Sequence, residues 1–182
     1  HKSKYFVLLG HERKWSSFSG SKEASDNTLV YCAARELVEE TCGCLKSPFD
    51  SIEHVHDILL NPEDARVLGA IPRSFRYKDK EYFHVSFIVL LEMDKTVPLR
   101  FITTITALHN DELQSHQARY VDGKLNLAYL EKSKLGLWNI LDWQKFKKKT
   151  SLNFQQIMPI IQDTIKDTST VSPDDFRLVQ SR

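Results

Sequence analysis

At 182 residues with 41% apolar side chains, the chain is long enough to bury one sizeable core, and a single domain is the default at this length. Its 25 basic and 24 acidic residues nearly cancel, so no global field directs it to nucleic acid or an anionic membrane. The longest apolar run, Val85 to Leu91, has the length of a strand and falls short of the roughly 18 residues that span a bilayer.

Three cysteines, Cys32, Cys42 and Cys44, are an odd count in a chain too large to need disulfide stapling. They read as reduced thiols, which points to a cytoplasmic, reducing compartment, or to a host cell or nucleus if the protein is viral or an effector. The start at His1 rather than methionine reads as an excised domain or a processed fragment.

In chain order, Tyr5 to Leu9 (YFVLL) reads as a short strand turning at Gly10, and Trp15 to Gly20 (WSSFSG) as a loop. From Thr28 to Cys42, Val30, Ala34, Leu37 and Val38 recur at helical spacing, with Asp26 or Asn27 as the expected cap and Gly43 as the stop. Cys44 to Asp64 reads as an irregular insertion with a short helix around Ser51 to Leu60.

Val67 to Ile71 and Tyr82 to Glu92 are predicted strands, the second apolar enough for a central position in a sheet. Phe101 to Tyr129 reads as an excursion around a turn at Asp122-Gly123, after which Leu135 to Ile140 returns to the sheet. Asp142 to Lys149 and Phe154 to Ile165 are predicted closing helices. The alternation of strands and helices points to a layered α/β or α+β domain over 1–166 with a tail over 167–182.

The chemistry concentrates on the Thr28 to Cys42 helix. Glu36, Glu39 and Glu40 stand at i, i+3 and i+4, which gathers three carboxylates on one face. Each like-charged pair at that spacing costs a helix about 0.2–0.5 kcal/mol, so the cluster makes sense when something positive fills it. Carboxylate oxygens suit hard cations such as Mg2+ or Mn2+, which also hold phosphate oxygens.

The string from Trp15 to Cys44, WSSFSGSKEASDNTLVYCAARELVEETCGC, resembles the Nudix signature. Its core, Arg-Glu-aliphatic-any-Glu-Glu, is met by Arg35-Glu36-Leu37-Val38-Glu39-Glu40. Fourteen residues separate Gly20 from Arg35, one more than the signature's usual spacing, so a one-residue insertion is needed for the upstream acid to fall on Asp26, where it can pair with Arg35. Ser19 and Ser21 stand where glycine and lysine are common, and the closing glycine comes one residue late, at Gly43.

The resemblance implies a Nudix-type α/β/α sandwich with a mixed β-sheet, its first strand open to truncation by the start at His1. It also implies a Nudix pyrophosphohydrolase: metal-dependent hydrolysis of a nucleoside diphosphate linked to another moiety, with ADP-ribose or an NAD-like dinucleotide expected first and capped RNA second. Glu36, Glu39 and Glu40, joined by the loop carbonyl of Ser19, would hold Mg2+ or Mn2+. Arg35 would organise the carboxylates, and Glu131 would serve as a base from beyond the box, with Asp111 and Glu112 as rivals. A catalytically silent Nudix domain that binds a nucleotide or protein is the alternative, and an unrelated α/β interaction module is a further rival.

Other signals are weaker. His54-Val55-His56 offers two imidazoles to zinc only if that segment is extended. Lys145, Lys147, Lys148 and Lys149 form a basic patch best read as solvated lysines at a helix end. Trp15, Phe18, Tyr77, Tyr82 and Phe83 read as packing rather than nucleobase platforms.

Overall fold

The computed structural model describes residues 5–92, 94–109, 120–121, 124–125 and 131–170. It is an α/β structure whose sheets are antiparallel and open. Strand β1 (Phe6–His11) lies at the centre of a three-stranded sheet, between β2 (Trp15–Ser16) and β7 (Lys134–Asn139). The β1–β7 register runs from Phe6 opposite Asn139 to His11 opposite Lys134.

Alternation along β1 sends neighbouring side chains to opposite faces, and helices cover both. Leu8 packs on a core built from α1 (Leu29–Glu40), α2 (Ile52–Leu60) and α3 (Val97–His109), whose buried members include Ala34, Val38, Val55, Ile58, Phe101 and Leu108. Leu9 packs on a second core with Ile140, Trp143 and Phe146, closed by Phe154 and Met158 of α5 (Leu152–Thr170). None of the described helices is long and apolar enough to cross a membrane.

Several expectations need correction. The only parallel pairing among the described residues is one isolated bridge, Trp15 to Thr150, so the expected mixed sheet is an antiparallel one. The strand expected to sit at the centre of that sheet instead forms a separate hairpin: β3 (Val67–Tyr77) pairs with β4 (Lys80–Val89), and Tyr77 faces Lys80 across the turn. The strand expected over Val67 to Ile71 runs on through Pro72 to Tyr77. In a two-stranded ribbon every strand is an edge, so proline's missing N–H leaves no ladder bond unmade. The turn is made by Lys78 and Asp79, both at positive φ (47° and 61°), the backbone that a tight two-residue hairpin requires.

The excursion expected from Phe101 begins as helix α3. Val97, Phe101, Ile105 and Leu108 form its buried stripe, and Pro98 sits in the first turn, where its lost N–H costs nothing. The turn at Asp122-Gly123 lies outside the described residues, and the strands flanking it, β5 (Tyr120–Val121) and β6 (Lys124–Leu125), pair antiparallel. The expected Asp142 to Lys149 helix is a single turn, α4 (Trp143–Phe146), between two 3₁₀ segments, Ile140–Asp142 and Lys147–Lys149. Its lysines are exposed, as solvated helix-end lysines should be.

Candidate active site

Helix α1 carries the site, and its ends explain how. Thr28, not Asp26 or Asn27, caps the start: its Oγ1 accepts from Tyr31 N at 3.0 Å. Asp26 is engaged elsewhere. At the other end Cys42 and Gly43 both adopt positive φ (53° and 59°), and Gly43 N donates to Val38 O at 2.8 Å while Cys42 N donates to Glu39 O at 2.9 Å. This pair of bonds is a Schellman closure, in which Cys42 takes the left-handed position that glycine usually fills. Cys32, Cys42 and Cys44 are buried thiols outside any disulfide, and burial lifts Cys32 to about 11.

Arg35 is the hub. Its Nε and Nη2 donate to the two oxygens of Asp26, each at 2.9 Å, a bidentate fork that fixes the loop before α1 onto the helix. Nη2 also donates to Ser21 O at 3.2 Å, and Nη1 donates to Glu39 Oε2 at 2.7 Å and lies 2.9 Å from Glu36 Oε1. One buried guanidinium therefore gathers the carboxylates of Asp26, Glu36 and Glu39. The hydrogen bond from Arg35 holds Asp26 down at about 2, while burial pushes Glu36 and Glu39 above the usual carboxylate range.

Glu40 is held by other partners. Its Oε2 accepts from Ser19 N at 2.8 Å, and its Oε1 lies 2.8 Å from Lys132 Nζ, an ion pair that falls short of a well-directed hydrogen bond. Glu40 is 2% exposed and Lys132 4%, and burial pushes Glu40 up to about 7 in spite of the lysine. Lys132 also donates to Ser16 Oγ at 3.2 Å. Its alkyl stem lies along Gly10, where a Cβ would stand 2.8 Å from Lys132 Cγ and Cδ. Glycine at position 10 leaves the space through which the lysine reaches the site.

The sequence reading missed Lys132. It chose the adjacent Glu131, which is exposed and close enough to the cluster for its charge to raise Glu36 further. Asp111 and Glu112, the rivals of Glu131, lie outside the described residues. Ser19 does meet the cluster, and the contact found is its N–H on Glu40. His54 and His56 are on α2, where positions two apart point to nearly opposite sides, so the zinc reading is withdrawn. His56 packs edge-on against Tyr31. Trp15 packs edge-on against Trp138, and Tyr82 stacks on Phe75.

Whether a divalent cation fits can be asked of the donors and of the charge. The donors are hard carboxylate oxygens, the type Mg2+ and Mn2+ take. Asp26, Glu36, Glu39 and Glu40, with exposed Glu23 at 3.8 Å from Arg35 Nη1, face Arg35 and Lys132, so carboxylates outnumber cations. Among the described residues no three His, Cys, Asp or Glu side chains are set around one metal position, because the glutamates turn onto Arg35 and Lys132. Donor type and charge fit a divalent cation.

Gly20 tests the packing of this cluster. A Cβ there would stand 2.0 Å from Glu36 Oε1 and 2.2 Å from its Cδ. The obstacle is the far end of a flexible side chain, so Gly20→Ala should displace the Glu36 carboxylate and leave the fold intact. The expected result is a melting temperature close to that of the parent with Mn2+ affinity about 10–100-fold weaker, read by calorimetric titration. Unchanged Mn2+ binding would show that Glu36 does not contribute to it.

Compared with protein-family models, with curated proteins and with solved structures, the chain matches none.

Proposed function

We propose that the chain is a divalent-metal-dependent pyrophosphohydrolase of the Nudix type, acting on a nucleoside diphosphate linked to a second moiety. The observation that carries this reading is the buried hub of Arg35, which ties Asp26 in the loop to Glu36 and Glu39 on α1 beside Glu40, a cluster in which carboxylates outnumber cations. A buried like-charged cluster costs stability, and a cation held there would offset that cost.

Glu36, Glu39 and Glu40 would hold Mg2+ or Mn2+, with the Ser19 loop beside them. When bound, such an ion polarises a phosphoryl oxygen and lowers the pKa of coordinated water. The chain's own residues do the rest. Arg35 fixes the rotamers of Glu36 and Glu39, Lys132 and Ser19 N fix Glu40, and exposed Glu131 accepts the proton of the attacking water at the rim of the cluster.

A screen of metal-dependent phosphomonoester release over diphosphate compounds, run beside Glu39→Gln and Glu40→Gln, tests this. Each substitution is expected to lower kcat/KM by about 10²-fold or more, at or beyond the upper end of the roughly 10–100-fold lost when a supporting partner of a metal ligand is removed. Activity that survives both removes the mechanism. Glu131→Gln should lower kcat by about 10²–10⁴-fold with little change in KM if Glu131 is the base.

A silent, ligand-binding domain is the second reading. It is favoured by one observation: both oxygens of Glu40 are already engaged by Ser19 N and Lys132. Nucleotide binding without metal and without turnover would select it.

A further inference from the structure

Glu36 of α1 lines a cavity of about 1150 Å³, slightly above the roughly 300–1,000 Å³ that small-molecule sites occupy. Ser19, Gly20, Lys22 and Glu36 make a polar part of its lining. Another part is hydrocarbon: Val85, Phe87 and Val89 come from β4, and Ile157, Ile161 and Ile165 from α5. Helix α1 joins the two regions. Leu29, Ala33, Glu36 and Leu37 all line the cavity and stand at i, i+4, i+7 and i+8, so one stripe carries both a cluster carboxylate and part of the apolar wall.

Several of the polar side chains elsewhere on this lining are already paired. His84 Nε2 pairs with Ser86 Oγ at 3.1 Å, Arg66 is held by Asp64, and Asp94 is engaged by Arg100, Thr96 and Lys46. Burial together with the charge of Arg73 lowers the pKa of His84, which favours its neutral form. A ribose or a second nucleoside brings several hydroxyl and amide groups, each of which loses water on entry and finds few partners here. A hydrocarbon chain gains from the same wall in proportion to the area it buries.

From this lining we infer that the group linked to the diphosphate is a long apolar chain. The substrate class is a nucleoside diphosphate esterified to an alkyl or isoprenoid alcohol, which replaces ADP-ribose as the leading expectation. The inference rests on the pyrophosphohydrolase reading. In the reaction the oxygen of water bonds to one phosphorus, and the bond from that phosphorus to the bridging oxygen breaks. The bridging oxygen leaves with the other phosphate. One hydrogen of the water stays on the attacked phosphate and the other protonates the leaving one, giving a nucleoside monophosphate and an alkyl monophosphate.

The test is a series of methyl, hexyl and dodecyl esters of adenosine diphosphate beside ADP-ribose, with Mn2+ present, together with displacement of anilinonaphthalene sulfonate by dodecyl phosphate or by AMP. Each methylene buried should tighten binding roughly two- to fourfold until the cavity is filled. KM should therefore fall at least about 10²-fold from methyl to dodecyl while kcat changes little, and dodecyl phosphate should displace the dye where AMP does not. Ala33→Phe, which fills the cavity from α1, should flatten the series, and a melting curve confirms that this variant is folded.

A flat series in the parent chain, with ADP-ribose turned over as well as or better than the dodecyl ester, overturns the inference and leaves the pyrophosphohydrolase standing. Displacement by dodecyl phosphate with no turnover of any diphosphate does the reverse: it supports the apolar site and removes the catalytic reading.

Discussion

Arg35→Ala is expected to destabilise the fold by about 3–5 kcal/mol, the usual loss when one partner of a buried ion pair is removed. For a chain of this size that corresponds to a melting temperature lower by roughly 6–20 °C. The size of the effect follows from how many groups depend on one guanidinium. Asp26 is 1% exposed and receives two hydrogen bonds from it, and Glu36 and Glu39 share its Nη1. Arg35→Lys should recover only a minor part, because a point charge cannot satisfy the fork that grips both oxygens of Asp26 while reaching Glu39.

Acid titration gives an independent signature of the same bond. Asp26 is held at about 2 against an ordinary 3.8, chiefly by its hydrogen bond from Arg35. A depressed carboxylate contributes stability that is complete above its unfolded pKa and is lost as pH falls through the folded one. The parent should therefore keep this contribution, about 2 kcal/mol, at pH 5 and lose it between roughly pH 4 and pH 2. In Arg35→Ala that part of the acid limb should vanish, as followed by circular dichroism. An Arg35→Ala protein that melts within 2 °C of the parent and keeps the same acid limb would show that the hub is not what fixes this loop.

The features legible in the sequence were those written in local spacing. Helix α1, its carboxylate face and helix α2 all depend on residues within about a dozen positions of each other, and each lies where the spacing put it. Strict spacing put the upstream acid on Asn27, and the resemblance with its one-residue insertion gave Asp26, the residue that Arg35 holds. What was misread depends on tertiary context. Pro72 breaks a central strand but not a ribbon, and nothing within β3 says which of the two it will join. In α3 the run Ile102-Thr103-Thr104-Ile105-Thr106 argues locally against a helix, yet burial of Phe101, Ile105 and Leu108 outweighs propensity.

Lys132 illustrates the same divide at the site. An isolated lysine ahead of an apolar strand reads as solvated, and the fact that makes it a buried partner of Glu40 is the gap over Gly10, far away in sequence. A glycine directly across a strand pair from the start of β7 was the one signal present.

That gap makes the second large effect specific. Lys132→Met keeps the stem's shape beside Gly10 but leaves Glu40 in the interior without its cation, and about 3–5 kcal/mol should be lost. Glu40→Gln alone should cost less, since the amide oxygen can still accept from Ser19 N, although Lys132 is then left facing a neutral group. The two changes together remove both charges, and a pair replaced by uncharged groups of similar volume is often close to neutral. The double variant should therefore lose less than the two single changes added together, by a coupling of about 2–3 kcal/mol in a double-mutant cycle followed by urea unfolding. Additive losses would mean that Lys132 contributes only its packed stem, and that Glu40 is held by Ser19 and the body of α1 rather than by the charge that reaches it through Gly10.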